Sequence, residues 1–448
     1  MACRAGDRWL FLAAMSVLLG AGSDATAQVQ TLDWNTSFDP ADLGAFPTPS
    51  QVAATEGDTE NVGVLQRPHP LYQQPGDHLG GFIVYPSLTL TAAYDDNIFV
   101  VQNGAVGDGI LTVTPEVDIQ SAWSRDLLWA FVKASEDVYA THSNQDATQA
   151  LFGAGGRLDL GEANLSGGVK FGQYVLPRAW DNAGLVSVRP ILYDFTGLYA
   201  EFLETFNRLK LSGRVDDHIY AYRNGLASDG LEVFEQGQNR NVAIFTGKAE
   251  YGVSPDTSLY VTGAFNSKRY DLAPTTGAQA LNSQGYRIVA GSTFNLTDLV
   301  RGDVQLGYQD QQYVSPLFRP VRGLSATGRI NWFVTPLTTV TFTGVRAVED
   351  AGVINSAGYL TTTGGVQVDH ELLRNLILGA DFTGGRDQYE GIDRTDNHLA
   401  AGLSAKWLVN RRVGVTFTYA FTDQRSEGAA SGPSFKDNRV TLSTALRF

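Results

Sequence analysis

From about residue 81 to the C-terminus, large apolar side chains alternate with small, polar or charged ones in stretches of about 12 to 15 residues. In 321–334, Leu324, Ala326, Gly328, Ile330 and Trp332 share one side, with Ser325, Thr327, Arg329 and Asn331 on the other. In 283–296, Tyr286, Ile288, Ala290, Phe294 and Leu296 oppose Arg287, Thr293 and Asn295. In 412–424, Val413, Val415, Phe417, Tyr419 and Phe421 oppose Gly414, Thr416, Thr418 and Thr422. A period of two puts alternate residues on opposite faces of a strand. Soluble strands average about 5 or 6 residues, whereas a tilted membrane strand needs about 9 to 11. The length of the stretches therefore predicts strands with lipid on one face and water on the other.

Connections between these stretches alternate between short and long. Short ones fall at Ser124–Asp126, Gly161–Glu162, Glu204–Asn207, Ser254–Asp256, Thr297–Leu299, Thr335–Pro336, Glu371–Arg374 and Asn410–Arg411. Long ones lie between them and reach only about 16 residues, short for an adhesin. Short periplasmic turns and longer extracellular loops mark outer-membrane barrels, and closure without a free edge favours an even strand count. The expected fold is all-β: one closed antiparallel transmembrane barrel over residues 81–448, with 18 strands and both termini on the periplasmic side. Sixteen strands is the alternative, because Pro115 lies within Ile110–Trp123 and cannot donate to a ladder.

The N-terminus reads as a secretory signal over residues 1–27. Arg4 and Arg8 precede an apolar run from Trp9 to Leu19, and Ala25 and Ala27 frame a small-x-small cleavage site. Residues 28–80 have no sustained period and carry many prolines and acids, with Arg67 as their only Lys or Arg. This stretch is expected to be a mostly disordered periplasmic segment, with Trp34, Phe38 and Phe46 as a candidate docking motif.

Composition narrows the function. Net charge is −14, which disfavours nucleic acid as a partner. The only cysteine, Cys3, lies in the signal, so the mature chain has no disulfide framework or thiolate site. After the signal, no run approaches the about 20 apolar residues of a helical span. The six histidines (His69, His78, His142, His218, His370 and His398) fall in no nucleophile or zinc motif, and no phosphate or dinucleotide loop appears. No enzyme activity, cofactor or metal is expected. Candidate lumen residues on polar strand faces are Arg287, Arg329, Asp381, Lys406 and Arg447, where charge would tune what passes.

The chain ends in a strand whose Val440, Leu442, Leu446 and terminal Phe448 share a face. It resembles the signal read by the barrel assembly machinery, an expected partner beside outer-membrane lipid and lipopolysaccharide. Near the start, Pro86, Leu88 and Leu90 form a Pro-x-Leu-x-Leu strand leading into Tyr94-Asp95-Asp96-Asn97-Ile98-Phe99. A second Pro-led strand follows at Pro115, Val117 and Ile119. This arrangement resembles the putative β-barrel porin 2 family over about residues 80–448. The resemblance implies a channel of the cell outer membrane, in some similar barrels one that exports exopolysaccharide with a periplasmic polysaccharide-export protein. A diffusion porin for small solutes and a structural or adhesive barrel are the alternatives. Asp95, Asp96 and Asn97 suit capping of a strand end, the favoured reading, or oxygen ligation of Ca²⁺.

Overall fold

The computed structural model describes residues 62–178, 187–271, 281–351, 353 and 356–448. The expected signal segment, Ala25, Ala27, Trp34, Phe38 and Phe46 lie outside these residues.

Eighteen long strands of 13 to 16 residues build the molecule. The first nine are β1 (Phe82–Asp95), β2 (Asp108–Ser121), β3 (Leu127–Tyr139), β4 (Ala147–Asp159), β5 (Ala163–Val175), β6 (Leu192–Phe206), β7 (Leu209–Tyr222), β8 (Arg240–Ser254) and β9 (Thr257–Tyr270). The second nine are β10 (Ser283–Leu296), β11 (Val300–Tyr313), β12 (Val321–Thr335), β13 (Thr338–Asp350), β14 (Gly358–Leu373), β15 (Leu376–Tyr389), β16 (Thr395–Leu408), β17 (Val413–Glu427) and β18 (Phe435–Arg447). Each pairs antiparallel with its sequence neighbours. The ring closes where β18 pairs with β1, from Ser87↔Arg447 to Asp95↔Arg439. No helix among the described residues is long and apolar enough to cross a membrane.

Connections alternate as the sequence predicts, so the barrel has a turn end, which also holds both ends of the described chain, and a loop end. Left-handed backbone at Gly161, Asn207, Thr297 and Asp298 lets the turn-end hairpins reverse within a few residues. Two strands overrun their expected turns: β6 continues to Phe206 and β14 to Leu373. Pro115 sits inside β2, opposite Leu88. On its other side the ladder to β3 skips Thr114 and Pro115 and resumes at Glu116↔Lys133 in unchanged register. The missing N–H therefore interrupts pairing without ending the strand.

Alternation divides the faces as the sequence predicts. Ile288 is 56 % exposed while its neighbour Arg287 is 5 % exposed. Leu306, Leu324, Trp332, Phe342, Phe382 and Leu403 extend the outward apolar belt. A continuous apolar girdle of this size is stable against lipid and not against water.

Two features depart from the expected scheme. The inward face of one sector is aromatic instead of polar: Trp129, Phe131, Tyr174, Tyr193, Tyr199, Tyr220 and Tyr222 form a buried core with Leu176 and Ile191. In β3, large side chains point both ways, Leu128 and Val132 outward and Trp129 and Phe131 inward. Glycines on the adjoining strand admit the rings. A Cβ at Gly153 would lie 2.3 Å from the Phe131 ring, and one at Gly155 2.4 Å from the Trp129 ring.

Residues 62–81 are the second departure. Placed by the sequence in an irregular lead, they follow turns and a short strand, Asp77–Leu79, against the barrel wall. The boundary between lead and folded domain therefore moves toward the N-terminus. The cause is local: β18 pairs with β1 only from Ser87 onward, and Asp77–Leu79 pairs with Phe82–Val84 on the edge left over.

Gly153→Val is expected to lower barrel stability by about 1–3 kcal/mol through overpacking against Phe131. The measurement is the temperature at which the detergent-solubilised barrel unfolds. An unchanged transition would show that the rings do not rest on the glycine wall.

Candidate functional site: the lumen and its two ends

The five lumen candidates all fall on inward-facing positions, but on five different strands: Arg287 on β10, Arg329 on β12, Asp381 on β15, Lys406 on β16 and Arg447 on β18. They line a tall wall and do not converge on one centre. Arg287 is buried, whereas Arg329 is exposed to the lumen.

Sequence reasoning missed the inward ion pairs, although Arg214 with Asp216 and Lys248 with Glu250 sit two residues apart on one strand face, and only Lys268 with Asp350 spans several strands. Lys133 meets Glu116 at 3.0 Å, and Lys248 meets Glu250 at 2.7 Å. Arg214 is clasped by Asp216 at 2.9 Å and Glu201 at 3.4 Å, and lies over the Tyr199 ring. Lys268 reaches Asp350 at 2.6 Å with both side chains buried. Arg240, 1 % exposed, stacks on Tyr220, Tyr222 and Tyr270 at 4.6, 5.6 and 5.7 Å. Three π faces compensate its desolvation in part.

The loop end shows what the Tyr94–Phe99 motif does. Asp96 accepts from the backbone N–H of Asn438 at 2.8 Å and from its side-chain amide at 2.7 Å. Asn97 donates to the carbonyls of Val101 and Lys436, both at 2.8 Å, and accepts from Val101 N–H. The Asn97 N–H binds Asp95 Oδ1 at 2.8 Å. The motif thus fastens the first strand to the last at the closing seam. Tyr94 points outward, and Phe99 packs on His142 and beneath the Arg178 guanidinium. Carboxylate oxygens of Asp95, Asp96 and Asp437 lie within 4.8 Å of one another. Both Asp96 oxygens already accept from Asn438, which fits the capping role over a cation site.

Loop segments are stitched together above the aromatic core. Arg178 donates to the Ser187 carbonyl at 2.9 Å and to Gln145 Oε1. Burial lowers its pKa, against a smaller opposing effect of Tyr139. Val188 O accepts from Gln145 at 2.8 Å, and Val188 N–H binds Leu226 O at 2.7 Å. Across the same loop end, Arg394 holds Asp396 through Nε and Nη2. Burial opposes that charge, but the bonds to Asp396 outweigh it and keep the Arg394 pKa above its usual value.

The turn end carries a strap. Val64 N–H donates to Thr339 Oγ1 at 3.0 Å, and Arg67 binds Glu371 at 2.8 Å and the Pro336 carbonyl. Farther along, the Tyr72 carbonyl accepts from Arg447 at 3.3 Å, and Gln74 donates to the carbonyls of Pro86 and Phe448, each at 3.0 Å. Thr339, Glu371 and Arg447 are inward-facing, so residues 62–76 run along the inside of the turn end from β13 to β1.

Asn97→Ala removes two donated bonds and one accepted bond at the seam and is expected to cost about 1–3 kcal/mol. Limited proteolysis of the folded barrel is the check. Cleavage should appear first around 96–107, and an unaltered pattern would show that Asn97 does not hold the seam.

The sequence profile of the family described as putative beta-barrel porin 2 matches residues 69–448. No curated protein matches the sequence. Among solved structures, OccK1 (OpdK) of Pseudomonas aeruginosa is similar at 11 % identity, with 82 % of this chain and 99 % of that chain covered and a TM-score of 0.46. A BenF-like porin from Pseudomonas fluorescens Pf-5 has 12 % identity, the same coverages and a TM-score of 0.46. A mutant of the ferric enterobactin receptor PfeA from Pseudomonas aeruginosa has 6 % identity, coverages of 84 % and 81 %, and a TM-score of 0.45. With the motif at its seam and the profile matched from the strap to the last residue, the chain belongs to the putative beta-barrel porin 2 family.

Proposed function

We propose that the protein is a channel in the outer membrane of a Gram-negative-type cell, with its turn end in the periplasm and its loop end outside. One observation carries this reading: inside a closed ring of apolar-coated strands, inward positions hold ionisable side chains from one end to the other. Burying so many charges is costly unless water fills part of the space between them. A water-filled barrel of this strand number conducts hydrophilic solutes.

The passenger is a small hydrophilic solute. The buried aromatic core fills one sector beneath the loop segments, and the strap occupies part of the turn end, so the free passage is narrower than the ring. Export of exopolysaccharide is the second reading, favoured by the family resemblance. The strap would then be the surface met by a periplasmic polysaccharide-export protein. Outer-membrane lipid and lipopolysaccharide would cover the apolar belt, and the assembly machinery would read the terminal strand.

The purified barrel is expected to conduct in a planar bilayer, and a deletion strain to keep its surface polysaccharide. Loss of surface polysaccharide on deletion would favour export, whereas absence of conductance would sink the channel reading altogether. Arg67→Ala, which frees the strap from Glu371, is expected to raise single-channel conductance. An unchanged conductance would show that the strap does not narrow the passage.

A further inference from the structure

The inward charges are segregated around the ring. From β4 to β12, every strand except β6 places a Lys or Arg on the inward face, and these bases, found at all heights, outnumber the inward acids Asp159, Glu201, Asp216, Glu250 and Asp303. Lys210, Arg301 and Arg329 lie toward the turn end and are exposed to the lumen, Arg214 and Lys248 lie higher, and Lys268 is near the loop end. From β13 to β16 the order inverts. Glu349, Asp369, Glu371, Asp381, Asp387 and Asp396 face inward, against Lys406 on β16 and Arg394, just before β16, which pairs with Asp396. A basic half of the wall therefore looks across at an acidic sector.

The strap is not placed at random relative to this division. It spans β13 to β1, seated through Arg67 on Glu371, and so it covers the turn-end entrance to the acidic sector. Residues 62–76 reach the basic half only at its edge, where Arg67 donates to the Pro336 carbonyl in the turn between β12 and β13, so they leave the entrance beneath β4 to β11 clear. Opposed charges on facing walls hold anions to one side and cations to the other, and low-dielectric walls strengthen the effect. A cation drawn to the acidic sector meets the strap, whereas an anion drawn to the basic half meets the aromatic core only along β3 to β8 and is left the wall from β9 to β12.

From the charge map, the aromatic core and the strap together we infer that the solute class is small hydrophilic anions, carried along the basic wall between β9 and β12. This inference rests on the channel reading and adds the sign of the solute and the wall that selects it.

The test is reversal potential in planar bilayers under a potassium chloride gradient, repeated with potassium acetate, on the full-length purified protein. Wild type is expected to prefer chloride over potassium by at least about threefold, and acetate to permeate as well. The triple variant Lys210→Gln, Arg301→Gln, Arg329→Gln changes exposed side chains and is expected to move selectivity toward potassium. The double variant Asp369→Asn, Asp381→Asn is expected to move it further toward chloride. Circular dichroism and the thermal transition show whether each variant is folded, and Arg329→Gln alone serves if the triple is not. A cation-preferring wild type would overturn the inference and leave the channel reading standing. So would folded variants that shift in the same direction or not at all. A folded wild type without conductance would overturn both.

Discussion

A strand crossing lipid has no water to satisfy its N–H and C=O groups, so each must find a partner in a neighbouring strand, and the last strand must return to the first. Most of the remaining structure follows from that demand. It explains why β18 meets β1 over Ser87 to Asp95, and why Pro115 is tolerated only where two residues of the ladder are skipped. It also explains why the edge of β1 beyond Ser87 is taken up by Asp77–Leu79. The seam is the one place where the pairing strands are not consecutive in sequence, so no short hairpin brings them together. Side chains take over that task at both ends: Asp96 and Asn97 reach Asn438 and Lys436 at one, Gln74 reaches Pro86 and Phe448 at the other.

The outward half of the structure was legible in the sequence for the same reason. Lipid requires one thing of every outward position, that it be apolar, and this repeats every second residue over each strand. The examples at 283–296, 321–334 and 412–424 have their apolar sides outward, as their alternation predicts. The inward half is under no uniform demand. Water, a neighbouring ring or an oppositely charged side chain all satisfy it, so Trp129 and Phe131 point inward where the rule of large-outside would have excluded them. The readable trace of that exception is the glycine run on β4, where Gly153 and Gly155 leave room for the two rings. The strap was illegible because its contacts are single hydrogen bonds from an irregular segment to distant strands, such as Arg67 to Glu371 across 304 residues.

The inward ion pairs differ in what they contribute. Lys268 with Asp350 and Arg394 with Asp396 are almost fully buried, where desolvation cancels most of the attraction. Their role is to fix geometry near the loop end, not to add stability. Lys210, Arg301 and Arg329 stay wet, so their fields reach the lumen even though Glu250 lies opposite Lys210 and Asp303 opposite Arg329. Structure and selectivity thus fall to different members of the same inward-facing set.

This separation bears on what family membership conveys. The segment that carries the resemblance, Tyr94 to Phe99, is spent on closing the ring: its polar groups are bound to the last strand and its own turn. It specifies that the barrel shuts, a requirement shared by channels whatever they pass. Discrimination among solutes must then reside in residues outside the motif, on strand faces where substitution leaves the backbone pairing intact. A barrel family can in this way keep one seam while changing its passengers. The charge map of an individual member therefore says more about its solute than the motif by which the family is recognised.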